Sequence, residues 1–210
     1  MRQTDLGDRI LTELDKALRV VAARPRAQRP TPATTAHEDL NSKESRLSAG
    51  LMRVNHTGEI AAQALYRGQA MVSRDPELRE HLLRAADEEH DHLAWCQERT
   101  EQLGSRVSLL APVWYAGSFA IGVAAGLSGD KTSLGFLAET EKQVTEHLDD
   151  HLKRLPANDS ESRAIVEQMR TDEIAHGEDA LERGGAALPP PVKRAMRAAS
   201  KVMTTLSFRI

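Results

Sequence analysis

Apolar residues recur along most of this chain at helical spacing, and the alternation that marks a strand is absent. In residues 5–24, Leu6, Ile10, Leu11, Leu14, Leu18 and Val21 share one face, which predicts a short amphipathic helix in an N-terminal segment 1–24. Pro25, Pro30 and Pro32 interrupt the periodicity, so 25–41 reads as a linker. Asn41 with Glu44 three residues on has the form of a capping box opening a helix over 42–73. Asp75-Pro76 supplies an N-cap and a first-turn proline for a second helix, which Gly104 closes. A third runs from about Thr132 to Leu155 and stops at Pro156. A fourth starts near Asp159 or Ser160 and ends at Gly184-Gly185. The expected fold is all-α: a four-helix bundle over 42–186, followed by a C-terminal amphipathic helix in 187–210.

Between the second and third bundle helices, residues 107–129 contain no charged side chain. Their length meets the ~20 residues of a transmembrane helix. A single crossing is excluded because motifs on either side of the segment must converge on one site. The pattern instead predicts a long apolar crossover helix lying on the bundle and dipping into a membrane interface, with Trp114 and Tyr115 at headgroup level. The alternative is a crossover packed wholly on the core or facing an oligomer partner. For 187–210, Lys193, Arg194, Arg197 and Lys201 oppose Val192, Met196, Val202, Leu206 and Phe208. That pattern suits either a fifth helix packed on the bundle or a second contact with anionic lipid.

The chemistry lies in two short motifs, Glu89-His90-Asp91-His92 and Glu173-Ile174-Ala175-His176. On a helix, a glutamate and a histidine three residues apart lie about 60° apart on one face. Each pair has another glutamate upstream: Glu59 is 30 residues before Glu89, and Glu141 is 32 before Glu173. One Glu-x-x-His is a weak signal in a chain with 28% charged residues, but a duplicated spacing is specific. Leu82, Leu83, Ala85, Ala86 and Leu93 flank the first pair, and Ile165, Val166, Met169 and Ile174 the second. Carboxylates on such core-leaning faces are costly unless they bind a cation. A bundle that holds two metal ions uses one Glu from each of two helices and Glu-x-x-His from each of the other two. Glu59, Glu89, His92, Glu141, Glu173 and His176 complete that set.

Oxygen-rich ligands with one imidazole per ion suit iron or manganese better than zinc or magnesium. Four carboxylates neutralise two divalent ions, so the reduced site is cheap to bury, and oxidation favours a bridging ligand derived from dioxygen. Glu89 and Glu173 are expected to bridge, with Glu59/His92 and Glu141/His176 terminal. Asp172 and Glu88, next to the ligand glutamates, are candidates to accept the outer N–H of the histidines. His56 and Tyr66 lie near the Glu59 face, and His147 is expected at the rim or in a proton relay. His81, His90 and His151 read as solvated surface histidines. Gly58, beside Glu59, implies close approach of a neighbouring helix.

Composition narrows the remainder. A net charge of −3 and 3% aromatics argue against nucleic acid as a partner. The single cysteine, Cys96, excludes a disulfide framework or cysteine-rich cluster, fits a reducing compartment and reads as a buried hydrophobe. The N-terminus has no uninterrupted apolar stretch of the kind a signal peptide carries.

Leu51-Met52-Arg53-Val54-Asn55-His56-Thr57-Gly58-Glu59, Glu89-His90-Asp91-His92-Leu93, Ala111-Pro112-Val113-Trp114 and Asp172-Glu173-Ile174-Ala175-His176 closely resemble the Coq7 family of di-iron demethoxyubiquinone hydroxylases. The likeness spans roughly 46–210. It implies a ferritin-like fold, two iron ions on Glu59, Glu89, His92, Glu141, Glu173 and His176, and hydroxylation of a lipophilic demethoxyubiquinol-type ring by O2 in ubiquinone biosynthesis. It also implies peripheral attachment to the cytoplasmic side of a bacterial inner membrane, alongside other ubiquinone-biosynthesis proteins. Lys142, where many relatives carry a second acid, and Leu148, where some carry Tyr, depart from the family pattern. With no G-x-G-x-x-G after a strand and no cysteine cluster, electrons are expected from an external donor or from the quinol itself. The rival reading is a ferritin-like iron-binding or ferroxidase protein. A rubrerythrin-like peroxidase lacks the cysteines it would need.

Overall fold

Asn41 and Asp75 start the bundle. The Asn41 side chain accepts from the backbone N–H groups of Lys43 and Glu44, while Glu44 accepts from the N–H of Asn41 at 2.9 Å. Asp75 caps the next helix through the N–H of Glu77, with Pro76 in its first turn. The computed structural model of the chain describes residues 6–33 and 39–210, with the side chains of all of these except Leu6, Arg9 and Ile10. The expectations for 1–5 and 34–38, and for Leu6 and Ile10 on the apolar face, lie outside the described residues. Among the described residues seven helices follow in order: α1 (Leu6–Ala22), α2 (Ser42–Val72), α3 (Pro76–Gln102), α4 (Ala111–Leu127), α5 (Asp130–Arg154), α6 (Ser160–Glu182) and α7 (Pro190–Ser207). There is no strand among the described residues, so the all-α expectation holds.

Short connections make α2–α3 and α5–α6 packed helix pairs, and the two pairs form the four-helix bundle. One core cluster gathers Tyr66, Leu82, Ala86 and Leu137, and a second gathers Leu51, Met52, Trp95, Leu148, Val166 and Met169. Cys96 lies in the second, 3.5 Å from the Met169 sulfur. A buried ion cluster, Arg99 with Asp159 and Glu161, ties the end of α3 to the start of α6.

The crossover helix lies along α2. A Cβ at Gly122 would overlap the backbone of Leu65, one at Gly68 would overlap Phe119 and Val123, and one at Gly126 would strike Val72 and Gln69. Small residues on both helices thus let two backbones meet. The expectation for Gly58 is corrected, since nothing lies within 4 Å of a Cβ there, and the close approach occurs at Gly68. Tyr115 is corrected too. It does not stand at a headgroup level but is buried and stacked on Phe119, because Ala17, Val20 and Val21 of α1 pack against the same cluster. Buried Arg67, bonded to Glu13 and Asp87, pins α1 to the bundle.

The outer faces are apolar. Val113 is 60% exposed on α4, with Ile121 and Leu127 also exposed. On α1, Leu11, Leu14 and Leu18 point outward while Val20 points in. No described helix is long and apolar enough to cross a membrane. α7 packs on α2 and α5, its Lys193–Glu139 and Arg197–Glu146 pairs both reaching α5, and leaves Val192, Val202 and Leu206 exposed.

Candidate metal centre

The inner face of each bundle helix carries one ligand position or one Glu-x-x-His pair, and the four faces meet. Glu59, Glu89, His92 and Glu173 each offer a ligand atom within 4.8 Å of the others; so do Glu89, Glu141, Glu173 and His176. Glu89 and Glu173 belong to both groups. All four glutamates and His92 are buried, and His176 is half-buried.

Both histidines present the same nitrogen inward. His92 Nδ1 is 2.9 Å from Glu89, 3.3 Å from Glu173 and 3.8 Å from Glu59. His176 Nδ1 is 3.2 Å from Glu89 and 3.5 Å from Glu173. Each outer nitrogen meets a carboxylate, His92 Nε2 with Asp172 at 2.8 Å and His176 Nε2 with Glu88 at 2.9 Å. With the proton on Nε2, the inner lone pair is free for a cation. Tyr66 donates its hydroxyl to Glu141.

The donor set fits two oxygen-seeking cations. Glu89 Oε1, Glu141 Oε2, Glu173 Oε2 and His176 Nδ1 are buried, yet none has a hydrogen-bond partner. Orphaned acceptors converging in a dry site cost free energy that a cation repays. Electrostatics among the side chains alone point the same way. Burial pushes the Glu59 and Glu141 carboxyls well above the ordinary range, and their neighbouring acids reinforce it. Burial also opposes charge on His92, but the carboxylates of Asp172, Glu173, Glu59 and Glu89 around it win and raise it. His176 is raised the same way by Glu173, Glu88 and Glu89. Glu173 is held below the ordinary carboxylate range by His176 and His92, against burial. Protons therefore do the neutralising that a metal would do.

That balance sets a pH dependence. Glu59 and Glu141 are raised above 4.5, so the stability they contribute is present below that value and is lost as pH rises through their folded values. The raised imidazoles add to the loss above 6.5. The contribution of this site to the stability of the metal-stripped protein should accordingly shrink between about pH 5 and about pH 8, against an opposite gain from His56, His147 and His151, whose lowered imidazoles cease to oppose folding as pH rises through 6.5. Metal binding needs deprotonated ligands, so the rise in Tm on adding Fe(II) or Mn(II) should grow over the same window. Melting curves with and without metal check this; a metal-induced rise in Tm that shrinks with pH would contradict it.

Other sequence candidates lie elsewhere. His56 is buried but takes Gln97 as its partner, and burial lowers it to about 4. His147 is not at the rim. It sits about 120° off the Glu141 face, its ring tilted at 57° against that of His151 with centroids 3.9 Å apart, in a cavity between α5 and α7. His81 and His151 are buried rather than solvated, because α6 covers the first through Asp179 and the α5–α7 packing covers the second; His90 is half-buried. Leu148 belongs to the core.

A groove of about 460 Å³, lined by Gly135, Ala138, Thr145, Ile174 and Leu181 among others, reaches Glu173. None of its lining belongs to α4, so the crossover is not the wall of this route. Its α5 and α6 walls were not identifiable from sequence, since they mix small and apolar positions with charged ones such as Glu139, Lys142 and Glu178, as an ordinary helix surface does.

Residues 46–207 match the family described as ubiquinone biosynthesis protein COQ7. The chain is 56% identical to a 3-demethoxyubiquinol 3-hydroxylase of Ralstonia pickettii (strain 12J), covering 97% of this chain and 99% of that one. It is equally similar, at 56%, to proteins of the same name from Polynucleobacter necessarius and Azoarcus sp. (strain BH72), with 97% of this chain and 98% and 99% of those covered.

Proposed function

The chain belongs to the COQ7 family of ubiquinone biosynthesis proteins, and on that premise we propose that it is a 3-demethoxyubiquinol 3-hydroxylase working through two iron ions. The observation that carries the reading is the pair of four-atom groups sharing Glu89 and Glu173. Glu89 and Glu173 would be shared between the two ions, with Glu59 and His92 completing the hold on one and Glu141 and His176 on the other. Two irons supply O2 activation, so that one oxygen atom enters a ring C–H bond and the other leaves as water, with two electrons and two protons from outside.

The chain's own residues position the reaction. Asp172 and Glu88 hold the imidazoles with Nδ1 inward, and Tyr66 orients Glu141. The quinol ring reaches Glu173 along the α5–α6 groove, whose Ile174, Leu181 and Leu188 suit a lipophilic substrate. The exposed apolar faces of α4 and α1 dock on the cytoplasmic side of the inner membrane, and Arg194 and Lys201, the α7 cations not paired with α5, face its anionic lipids. An external donor or the quinol itself supplies the electrons.

The test is turnover. Purified, iron-loaded protein given a demethoxyubiquinol, a reductant and isotopically labelled O2 should yield ring-hydroxylated product carrying the label. A strain lacking the protein should accumulate the demethoxy intermediate. Oxidation of Fe(II) without any ring product would favour the ferroxidase reading instead.

A further inference from the structure

Residues 25–33 precede the matched region 46–207, yet they lay one side chain across the outer side of the His92 position. Arg29 Nε donates to Asp91 at 2.9 Å and its Nη1 lies 2.9 Å from Asp172 Oδ2. Its guanidinium stacks over Trp95 at 4.8 Å, and the Trp95 indole N–H donates to the Arg29 carbonyl at 3.4 Å. The backbone N–H of Gln28 donates to Asp91 at 2.6 Å. The linker is thus a strap fixed on α3 and α6.

Asp172 Oδ2 consequently serves two donors, the outer N–H of His92 and the Arg29 guanidinium. Arg29 Nη2 also lies 3.3 Å from His92 Nε2. Since that nitrogen is protonated when Nδ1 faces inward, the approach is one of two donors converging on a shared acceptor. Gln168 donates to the other Asp172 oxygen at 2.9 Å. The other half of the site is built differently. Its outer carboxylate, Glu88, has a side chain 58% exposed to solvent, which screens its effect on His176.

A carboxylate behind a ligand imidazole increases the electron density the imidazole gives its metal. A cation on that carboxylate takes part of the density back. We infer that Arg29 is a positioning residue that makes the two metal positions unequal, so that the ion on His92 is the more readily reduced of the two. The inference rests on the two-ion reading above and adds to it a role for the N-terminal strap.

The experiment is spectroelectrochemical titration of the full-length, iron-loaded protein beside Arg29→Gln and Arg29→Lys. Arg29→Gln should move one of the two reduction steps to lower potential, by about tenfold in its equilibrium or ~59 mV, and leave the other in place. Arg29→Lys retains the charge without the fork and should recover at least half of that shift. Two unchanged steps in Arg29→Gln would reduce Arg29 to a surface ion pair and overturn the inference. Equal movement of both steps, or loss of iron with the fold intact, would make the strap a structural element and also overturn it. Iron content of the unsubstituted protein tests the underlying reading separately, and failure to hold two ions would remove both.

Discussion

Glu173→Ala should abolish metal binding and turnover together. Glu173 contributes to both four-atom groups, is buried, and sits between His92 and His176. Without it each ion loses a ligand and both imidazoles lose their central counter-charge. Iron content should fall from about two per chain to near none, and kcat by more than the ~100-fold that losing a mere outer partner can cost. Glu59→Ala removes a group found in one set only, so it should spare the Glu141/His176 ion and leave roughly one iron. Iron analysis and turnover on the same preparations check the contrast. Full activity in Glu173→Ala with iron retained would sink the ligand assignment, and equal iron loss in both variants would sink the bridging one.

A charge on the outer face of α4 should separate membrane attachment from catalysis. Val113 is exposed, so Val113→Asp has room in the fold and should leave the iron site assembled. Near a membrane interface a new charge costs up to about 1 kcal/mol, a severalfold loss in partition. Sedimentation with anionic vesicles should show release of the variant, and turnover of long-tailed quinol should fall with it. A short-tailed soluble analogue, which needs no delivery from lipid, should be turned over nearly as before. If Val113→Asp unfolds or loses iron, α4 is core packing and the docking face is wrong. If it remains on vesicles and fully active, the face has no such role.

The legible part of this protein was local. Asn41-x-x-Glu44, Asp75-Pro76, Gly104 and Pro156 each act through backbone geometry within a few residues, so helix ends could be read almost to the residue. The Glu-x-x-His pairs were equally local, since three residues along a helix fix a shared face whatever lies opposite. Duplicated spacing then argued that the two halves meet, although spacing alone says nothing of distance. That the six side chains come within reach of one another is a fact of packing between α2, α3, α5 and α6.

Other readings failed where the partner, not the helix, decides. His81 and His151 look solvated by their neighbours in sequence, but burial depends on which helix covers them. Tyr115 looks interfacial until α1, distant in sequence, closes over it. Gly58 and Gly68 are alike as letters, and only the path of α4 makes one a contact and the other not. Arg29 in a proline-rich stretch had no visible address at all, because a chain without periodicity announces no face. By itself the sequence determined the helices, the ligand types and the chemistry they can support, which depend on spacings of a few residues and on functional groups. Only the tertiary structure decided which groups are neighbours, which are dry, and where the site opens, because those depend on long-range contacts that no local pattern encodes.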